Sequence, residues 1–96
     1  MPNNFNLGQL LMTRGVNDKV ADNSKFAKFV MDSLKRHVNC DWGDMCQEDI
    51  EENNFALKDG SLRIFSAYND SGELPKIWII TEADRSATTI LFPDEY

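Results

Sequence analysis

The C-terminal segment Lys76-Ile-Trp-Ile-Ile-Thr-Glu-Ala-Asp-Arg-Ser-Ala-Thr-Thr-Ile-Leu-Phe92 predicts two β-strands joined by a short polar turn. Residues 77–81 and 88–92 are rich in isoleucine, threonine and aromatic side chains, which suit a pleated, half-buried surface. Trp78 and Ile80 alternate with Ile77 and Ile79 along the first strand. We therefore expect this strand to be central in its sheet and covered on at least part of both faces.

A third strand is predicted just before this pair, over residues 62–68. The turn cluster Asn69-Asp70-Ser71-Gly72 should fold it back onto residues 77–81. Pro75 fits the start of that strand, because proline lacks a backbone N–H and none is needed there for pairing with a neighbouring strand. Three consecutive strands with hairpin-length connections predict an antiparallel meander.

Residues 25–38 carry the clearest helical pattern, and Asp22-Asn23-Ser24 before them supplies the capping signal. A step of about 100° per residue separates an apolar side from a basic one. The apolar side holds Phe26, Phe29, Val30, Leu34 and His37, and the basic side holds Lys25, Lys28, Asp32, Lys35 and Arg36. This helix should have one buried and one solvated face.

The N-terminal part of the chain is less clearly patterned. Residues 1–6 are polar and are expected to be loose, and residues 7–13 are consistent with a short strand or with the first turn of a helix. Gly15 and Asn17 interrupt residues 14–21, which predicts a short helical turn at most.

A second helix is predicted from a capping box formed by Asp44 and Gln47 to a C-terminus near Gly60. Its inner side is expected to contain Cys46, Ile50 and Leu57, and its outer side Glu48, Glu51 and Glu52. The same spacing places Phe55 among the acids. Either the helix bends near Asn53-Asn54 and Phe55 turns inward, which the usual burial of large apolar residues favours, or the ring is exposed in an acidic patch.

These elements predict an α+β fold with two amphipathic helices packed on one face of a three-stranded antiparallel β-meander. The 96 residues are 42% hydrophobic, enough for one core, so we expect a single domain over residues 1–96. The sequence has no apolar run of about 20 residues and no signal-peptide pattern, which predicts a cytoplasmic protein with no membrane contact. Cys40 and Cys46 are expected to be free thiols.

The net charge of −6 arises from one short segment. Residues 41–52 hold six of the 16 acidic residues and no basic residue, whereas the rest of the chain holds ten of each sign. Binding to a phosphate backbone requires Lys and Arg side chains, so direct nucleic-acid binding is disfavoured. A basic protein or nucleoprotein surface is the favoured partner.

Three groups of residues are candidates for a chemical site. His37 could act as a general base oriented by Asp41 or Asp44, although a structural histidine is the commoner outcome on an apolar helix face. His37, Cys40 and Cys46 match no standard zinc spacing and lack a fourth ligand. The turn residues Glu82, Asp84 and Arg85 could combine acid, base and anion-binding groups, but polar hairpin tips are usually only solvated. With no phosphate loop or nucleophile elbow either, we predict no catalytic residue, metal or cofactor.

Three segments resemble a family of short "plasmid-related" proteins carried on bacterial plasmids and integrative conjugative elements. They are Arg36-His-Val-Asn-Cys-Asp-Trp-Gly-Asp-Met-Cys-Gln-Glu-Asp49, Leu62-Arg-Ile-Phe-Ser-Ala-Tyr68 and Lys76 to Tyr96. The Asp-Trp-Gly-Asp and Thr-Glu-Ala-Asp-Arg-Ser blocks carry the resemblance, which does not extend to the N-terminal third. It implies a mobile-element context and no mechanism.

Together these features predict a non-enzymatic acidic binding module of a mobile element. Such a module could be a counter-defence inhibitor, of the anti-CRISPR or anti-restriction type, that occupies a basic surface of a host protein or nucleoprotein. The alternative is a small nuclease or toxin-like enzyme on the three-stranded sheet, using His37 or the turn at residues 82–85. The expected partner-binding residues are Asp41, Trp42, Asp44, Glu48, Asp49, Glu51, Glu52 and Phe55, with Trp42 also able to plug the corner between the helices.

Overall fold

The computed structural model describes residues 5–60, 62–70, 72 and 74–96. Residues 1–4 of the segment expected to be loose, and Ser71 of the predicted turn, lie outside the described residues. The elements are β1 (Gln9–Met12), α1 (Arg14–Asp22), α2 (Ser24–Val38), α3 (Gln47–Asp59), β2 (Ile64–Tyr68), β3 (Ile77–Thr81) and β4 (Ala87–Leu91), followed by a 3-10 turn over Pro93–Glu95. The class is α+β, as predicted.

The sheet has four strands in the order β1-β4-β3-β2. β2, β3 and β4 form the predicted antiparallel meander, and β3 pairs Ile79 with Ile90 of β4 on one side and with Ser66 of β2 on the other. β1 lies parallel to β4, with Gln9 opposite Ala87. The prediction of a three-stranded antiparallel sheet is therefore wrong in detail, because the fourth strand pairs across nearly the whole length of the chain.

The helix α1 is longer than the short turn predicted, and its N-terminus is held by residues from both ends of the chain. The Thr13 hydroxyl accepts the N–H of Val16 at 3.4 Å. The Glu95 carboxylate accepts the Thr13 hydroxyl at 2.6 Å and the N–H of Gly15 at 3.2 Å. A carboxylate from the C-terminal turn supplies part of this cap, and Val16 is fully buried in the core. Because both contacts come from distant parts of the chain, the local sequence predicts a shorter helix than the one that forms.

The helix α2 is the predicted amphipathic helix, and it begins with Asn23 accepting the N–H of Phe26 at 3.1 Å. Its apolar face and α1 cover one face of the sheet. Each fully buried isoleucine or phenylalanine of this layer contributes about 1.5–3 kcal/mol by leaving water. The main core consists of Val16, Phe26, Val30, Leu34, Tyr68, Ile77, Ile79 and Ile90.

The opposite face of the sheet is covered by aromatic side chains rather than by a helix. The ring centroid of Trp78 lies 4.9 Å from that of Phe65 and 5.8 Å from that of Tyr96. Ile80 is only 5% exposed beneath this layer, so β3 is covered on part of both faces, as expected. No helix in the described part of the chain combines the length and apolar character needed to cross a membrane.

Candidate partner-binding surface

The acidic helix α3 begins at Gln47 with Cys46 as its N-cap, and no side chain caps it. The predicted capping box of Asp44 and Gln47 does not form. The backbone N–H of Asp44 instead donates to the carbonyl of Ala67 at 2.8 Å, which ties this residue to the edge of β2. Cys46 is exposed, with its thiol donating to Asp49 at 3.1 Å, so its expected place on the inner side of α3 is also wrong.

Gly43 allows the chain to approach this edge closely. It has φ +74°, and a Cβ there would lie 2.0 Å from the carbonyl oxygen of Ala67. The carbonyl of the preceding residue, Trp42, accepts the N–H of Ala67 at 3.2 Å. Only glycine combines this backbone conformation with this contact.

Trp42 is 4% exposed and fills the corner between α2 and α3. Its ring centroid lies 5.7 Å from that of His37 and 6.2 Å from that of Phe5, which is therefore packed rather than loose. Its indole N–H donates to Asn54 at 3.4 Å. The expectation of Trp42 as a partner-binding residue is thus not met, because the ring is used inside the fold.

The buried side of α3 contains a polar residue that the sequence reasoning missed. Asn53 is 3% exposed. Ile50 and Leu57 are half-buried against a second core cluster, which consists of Trp42, Ala56 and Ile64. Asn53 lies three residues after Ile50 and four before Leu57, so helical spacing alone places it on the inner side. That spacing was the available signal, and the polar character of asparagine obscured it.

The outer side of α3 exposes an aromatic ring among acids. Phe55 is 56% exposed, and Glu51 and Glu52 precede it by four and three residues on the same helix surface. The helix does not bend to bury Phe55. The prediction that Phe55 turns inward is therefore wrong, and the alternative of a ring exposed in an acidic patch is correct. We define the acidic face as Glu48, Glu51, Glu52 and Phe55, all of which are exposed.

A cleft of about 320 Å³ borders the acidic face. Asp49 and Glu52 line it together with the apolar side chains of Met45, Leu62 and Phe65. Arg63 also lines it, with its guanidinium donating to the Tyr96 hydroxyl and lying over the Phe65 ring. Carboxylates therefore stand beside an apolar wall. A long side chain with an aliphatic stem and a cationic end matches this combination.

Two of the expected acids lie in the loop before α3. Asp41 forms a double hydrogen bond with the Arg36 guanidinium, at 2.8 and 3.1 Å, and accepts the N–H of Gly43. The bond to Arg36 lowers the pKa of Asp41, and the ion pair offsets its charge. Asp44 remains exposed. The expected acidic cluster is thus divided, with Asp41 compensated within the fold.

His37, the candidate general base, is fully buried in a chain of polar side chains. The Thr88 hydroxyl donates to the carbonyl of Leu7 at 2.8 Å, so Thr88 accepts from Thr81 at 2.8 Å, and Thr81 accepts from His37 Nε2 at 2.9 Å. This order places a proton on Nε2. In the neutral ring, Nδ1 accepts from the Ser66 hydroxyl, which also lies 3.5 Å from the Ile79 carbonyl. Burial lowers the pKa of His37 to about 3, which keeps it neutral.

The candidate turn before β4 is also occupied by internal hydrogen bonds. Arg85 Nη1 donates to the carbonyls of Leu62, Glu82 and Ala83 at 2.8–3.1 Å, and its Nη2 donates to Ala56 near the end of α3 at 3.0 Å. The Arg85 guanidinium therefore joins the hairpin to the helix C-terminus, where a cation is favoured. Both terminal nitrogens of Arg85 therefore donate to backbone carbonyls within the fold.

The structure also places the three residues that the sequence analysis considered, and did not favour, as zinc ligands. Both ring nitrogens of His37 are engaged in the core, Cys40 is half-buried and Cys46 is exposed. The two cysteines are thiols rather than a disulfide. Within the described residues, no group of three or more His, Cys, Asp or Glu side chains is placed to hold a metal ion.

The comparisons with known proteins give no relative: no protein-family model, no curated protein and no solved structure shows significant similarity to this chain.

Proposed function

We propose that this protein is a non-enzymatic binding module whose acidic face contacts a basic surface of a partner. The observation that carries the proposal is the exposure of Phe55 among the carboxylates of α3. Leaving a phenylalanine in water forgoes about 1.5–3 kcal/mol of burial free energy. Aromatic side chains surrounded by polar ones are typical of the centre of a protein interface.

The charges of α3 support the same proposal by their lack of compensation. In α2, Asp32 pairs with Lys28 one turn earlier at 3.0 Å. In α3, the described side-chain contact at that spacing joins Glu51 to Gln47, a neutral amide, at 3.5 Å. Like charges that repel one another within a helix lower its stability slightly. A basic partner would convert this cost into attraction and accelerate association.

The cleft beside the acidic face specifies the contact further. Asp49 and Glu52 on one wall can bind the cationic end of a Lys or Arg side chain, while Met45 and Leu62 contact its aliphatic stem. A basic residue next to an apolar one is therefore the motif that we expect on the partner. The resemblance to plasmid-carried proteins leads us to propose a host protein or nucleoprotein as that partner, bound by a counter-defence inhibitor.

The test compares a variant of the acidic face with a matched control. Glu48, Glu51 and Glu52 are replaced together by Gln, and the control replaces three exposed acids away from α3, Asp22→Asn, Glu82→Gln and Asp94→Asn. Both variants change the net charge by the same amount. Each is immobilised and compared with the unmodified protein for capture from a bacterial host lysate, and the affinity for the recovered protein is then measured at two salt concentrations.

We expect the Gln variant to lose at least about tenfold in affinity at low salt and the control variant to lose little. A Phe55→Ser variant should leave the association rate nearly unchanged and increase the dissociation rate, because the ring acts after encounter. Equal binding by the Gln variant, the control and the unmodified protein would show that the acidic face is only a solvated helix surface.

A further inference from the structure

β1 forms an edge of the sheet that none of the described residues pairs with. Its four residues are all exposed, and the apolar ones are Leu10 at 47%, Leu11 at 40% and Met12 at 39%. Natural edge strands are usually protected by charged side chains, proline, a bulge or a covering segment. Gln9–Met12 contains no charged residue and no proline, so neither of these protects the strand.

The other edge of the same sheet shows how this chain protects a strand. Along β2, the backbone of residues 42–44 pairs with Ala67, and the Asn53 side chain pairs with the backbone of Phe65. Two different segments thus cover β2, whereas the described residues leave β1 uncovered. Among the residues that the structure describes, the uncovered edge is therefore confined to β1.

The direction of the backbone groups fixes which residues of β1 are available. The N–H groups of Gln9 and Thr13 donate to the carbonyls of Ser86, just before β4, and of Ile90 within it, at 2.9 and 3.0 Å. Strand residues alternate in direction, so Leu10 and Met12 point their N–H and C=O groups away from β4. An additional antiparallel strand would bond to these two residues.

We propose that β1 pairs antiparallel with β1 of a second copy of this chain. The register that uses both outward residues places Leu10 opposite Met12 of the second copy, and Met12 opposite its Leu10, which gives four backbone hydrogen bonds. The twofold axis then passes between the two Leu11 side chains, which form a close pair without backbone bonds. The three cross-strand pairs among residues 10–12 are all apolar, and Gln9 lies opposite Thr13, so β1 is complementary to itself.

The distribution of charge favours a second copy at this edge. Residues 5–22, which contain β1 and α1, hold two basic and two acidic residues and so have no net charge. The acidic helix α3 packs against β2, at the opposite edge of the sheet. Pairing through β1 therefore places the two acidic helices at opposite ends of the combined sheet, where long-range repulsion between them is weak.

The resulting dimer has a continuous eight-stranded sheet. Seven strand spacings of about 4.8 Å place its two β2 strands about 34 Å apart, each with an α3 beside it. A partner with two basic sites at that separation would bind both acidic faces and gain avidity. This last consequence rests on the proposed function, whereas the pairing of β1 does not.

The first test uses the unmodified protein without any partner. Sedimentation equilibrium should show the mass increasing from that of the 11.0 kDa monomer toward the dimer as concentration rises. Amide hydrogen exchange at Leu10 and Met12 should slow over the same range, while the Leu11 amide, which points toward β4, serves as an internal reference. A monomer at every concentration, with unchanged exchange at Leu10 and Met12, would overturn the proposal.

The second test places charges at the twofold axis. Leu11→Lys and Leu11→Glu should each weaken dimerisation at least tenfold, because like charges are then directly opposite each other. A mixture of the two variants should restore it. Met31→Lys, which changes an apolar residue that is 53% exposed on α2, is the matched control and should dimerise normally. A dimer that is unaffected by Leu11→Lys, or variants that do not recover on mixing, would refute pairing through β1.

Discussion

The side chain of Asn53 hydrogen-bonds to both backbone groups of Phe65. Its amide nitrogen donates to the Phe65 carbonyl at 2.5 Å, and its oxygen accepts the Phe65 N–H at 3.1 Å. A side-chain amide offers the same donor and acceptor as a peptide group, so Asn53 occupies the place of a neighbouring strand. This pairing fixes α3 along β2, and it thereby positions the acidic face.

Asn53→Ala should lower the free energy of unfolding by about 1–3 kcal/mol, because it leaves a partly buried N–H and C=O without partners. Asn53→Asp should be at least as destabilising, since it removes the donor and adds a charge. Urea denaturation measures both. Asn17→Ala, at an exposed position of α1, is the control and should change stability by less than about 0.5 kcal/mol. Equal stability of all three variants would show that the Asn53 pairing is energetically neutral.

His37 should make the protein less stable as the pH falls below about 6.5. Burial lowers the pKa of the folded-state imidazole to about 3, from 6.5 in the unfolded chain, so the unfolded state binds one more proton between these values. The free energy of unfolding should then fall by up to about 1.4 kcal/mol per pH unit across that window.

The measurement that isolates His37 is an NMR titration of its ring, which should show no protonation between pH 8 and pH 5. Denaturation of His37→Gln over the same pH range provides the control, because glutamine keeps a donor and an acceptor but does not titrate. A ring that titrates near pH 6.5 in the folded protein would contradict the buried network.

Arg85 should be a stabilising residue, because its guanidinium donates to four backbone carbonyls. Arg85→Ala should cost about 1.5–3 kcal/mol or more, since hydrogen bonds to a charged group are among the stronger ones. Arg85→Lys should recover only part of this, because an ammonium group cannot reproduce the planar fork. Denaturant titrations of these variants give the free energies.

A glycine variant separates the guanidinium from the backbone at this position. Arg85 has φ +61°, a conformation that glycine adopts without strain. Arg85→Gly should therefore be less destabilising than Arg85→Ala, by about 1 kcal/mol. If alanine and glycine were equivalent, the left-handed backbone would contribute no measurable strain.

Ile79→Ala should destabilise the protein by about 2–5 kcal/mol, because Ile79 is fully buried on the central strand β3 and the change leaves a cavity. Thermal or urea denaturation detects this loss. Met31→Ala, on the exposed side of α2, removes a similar volume from the surface and should have little effect. A midpoint unchanged by Ile79→Ala would be incompatible with a central β3.

Local sequence patterns were sufficient for the elements whose signals lie close together in the chain. The run of isoleucines in β3 predicted its bounds, and the apolar spacing from Phe26 to His37 predicted α2 and its buried face. The turn before β4 and the helix stop at Gly60 were also readable from residue type. In each case neighbouring residues carry the preference, so periodicity and turn chemistry report it directly.

The tertiary structure alone decided the features that join distant parts of the chain. β1 forms because Gln9–Met12 meets β4, and α1 extends because Glu95 caps it. The same is true of the burial of Trp42 and of the exposure of Phe55, which helical spacing left open. These outcomes depend on which surfaces meet after the chain has folded, and a preference that arises only from long-range contact leaves no local period in the sequence.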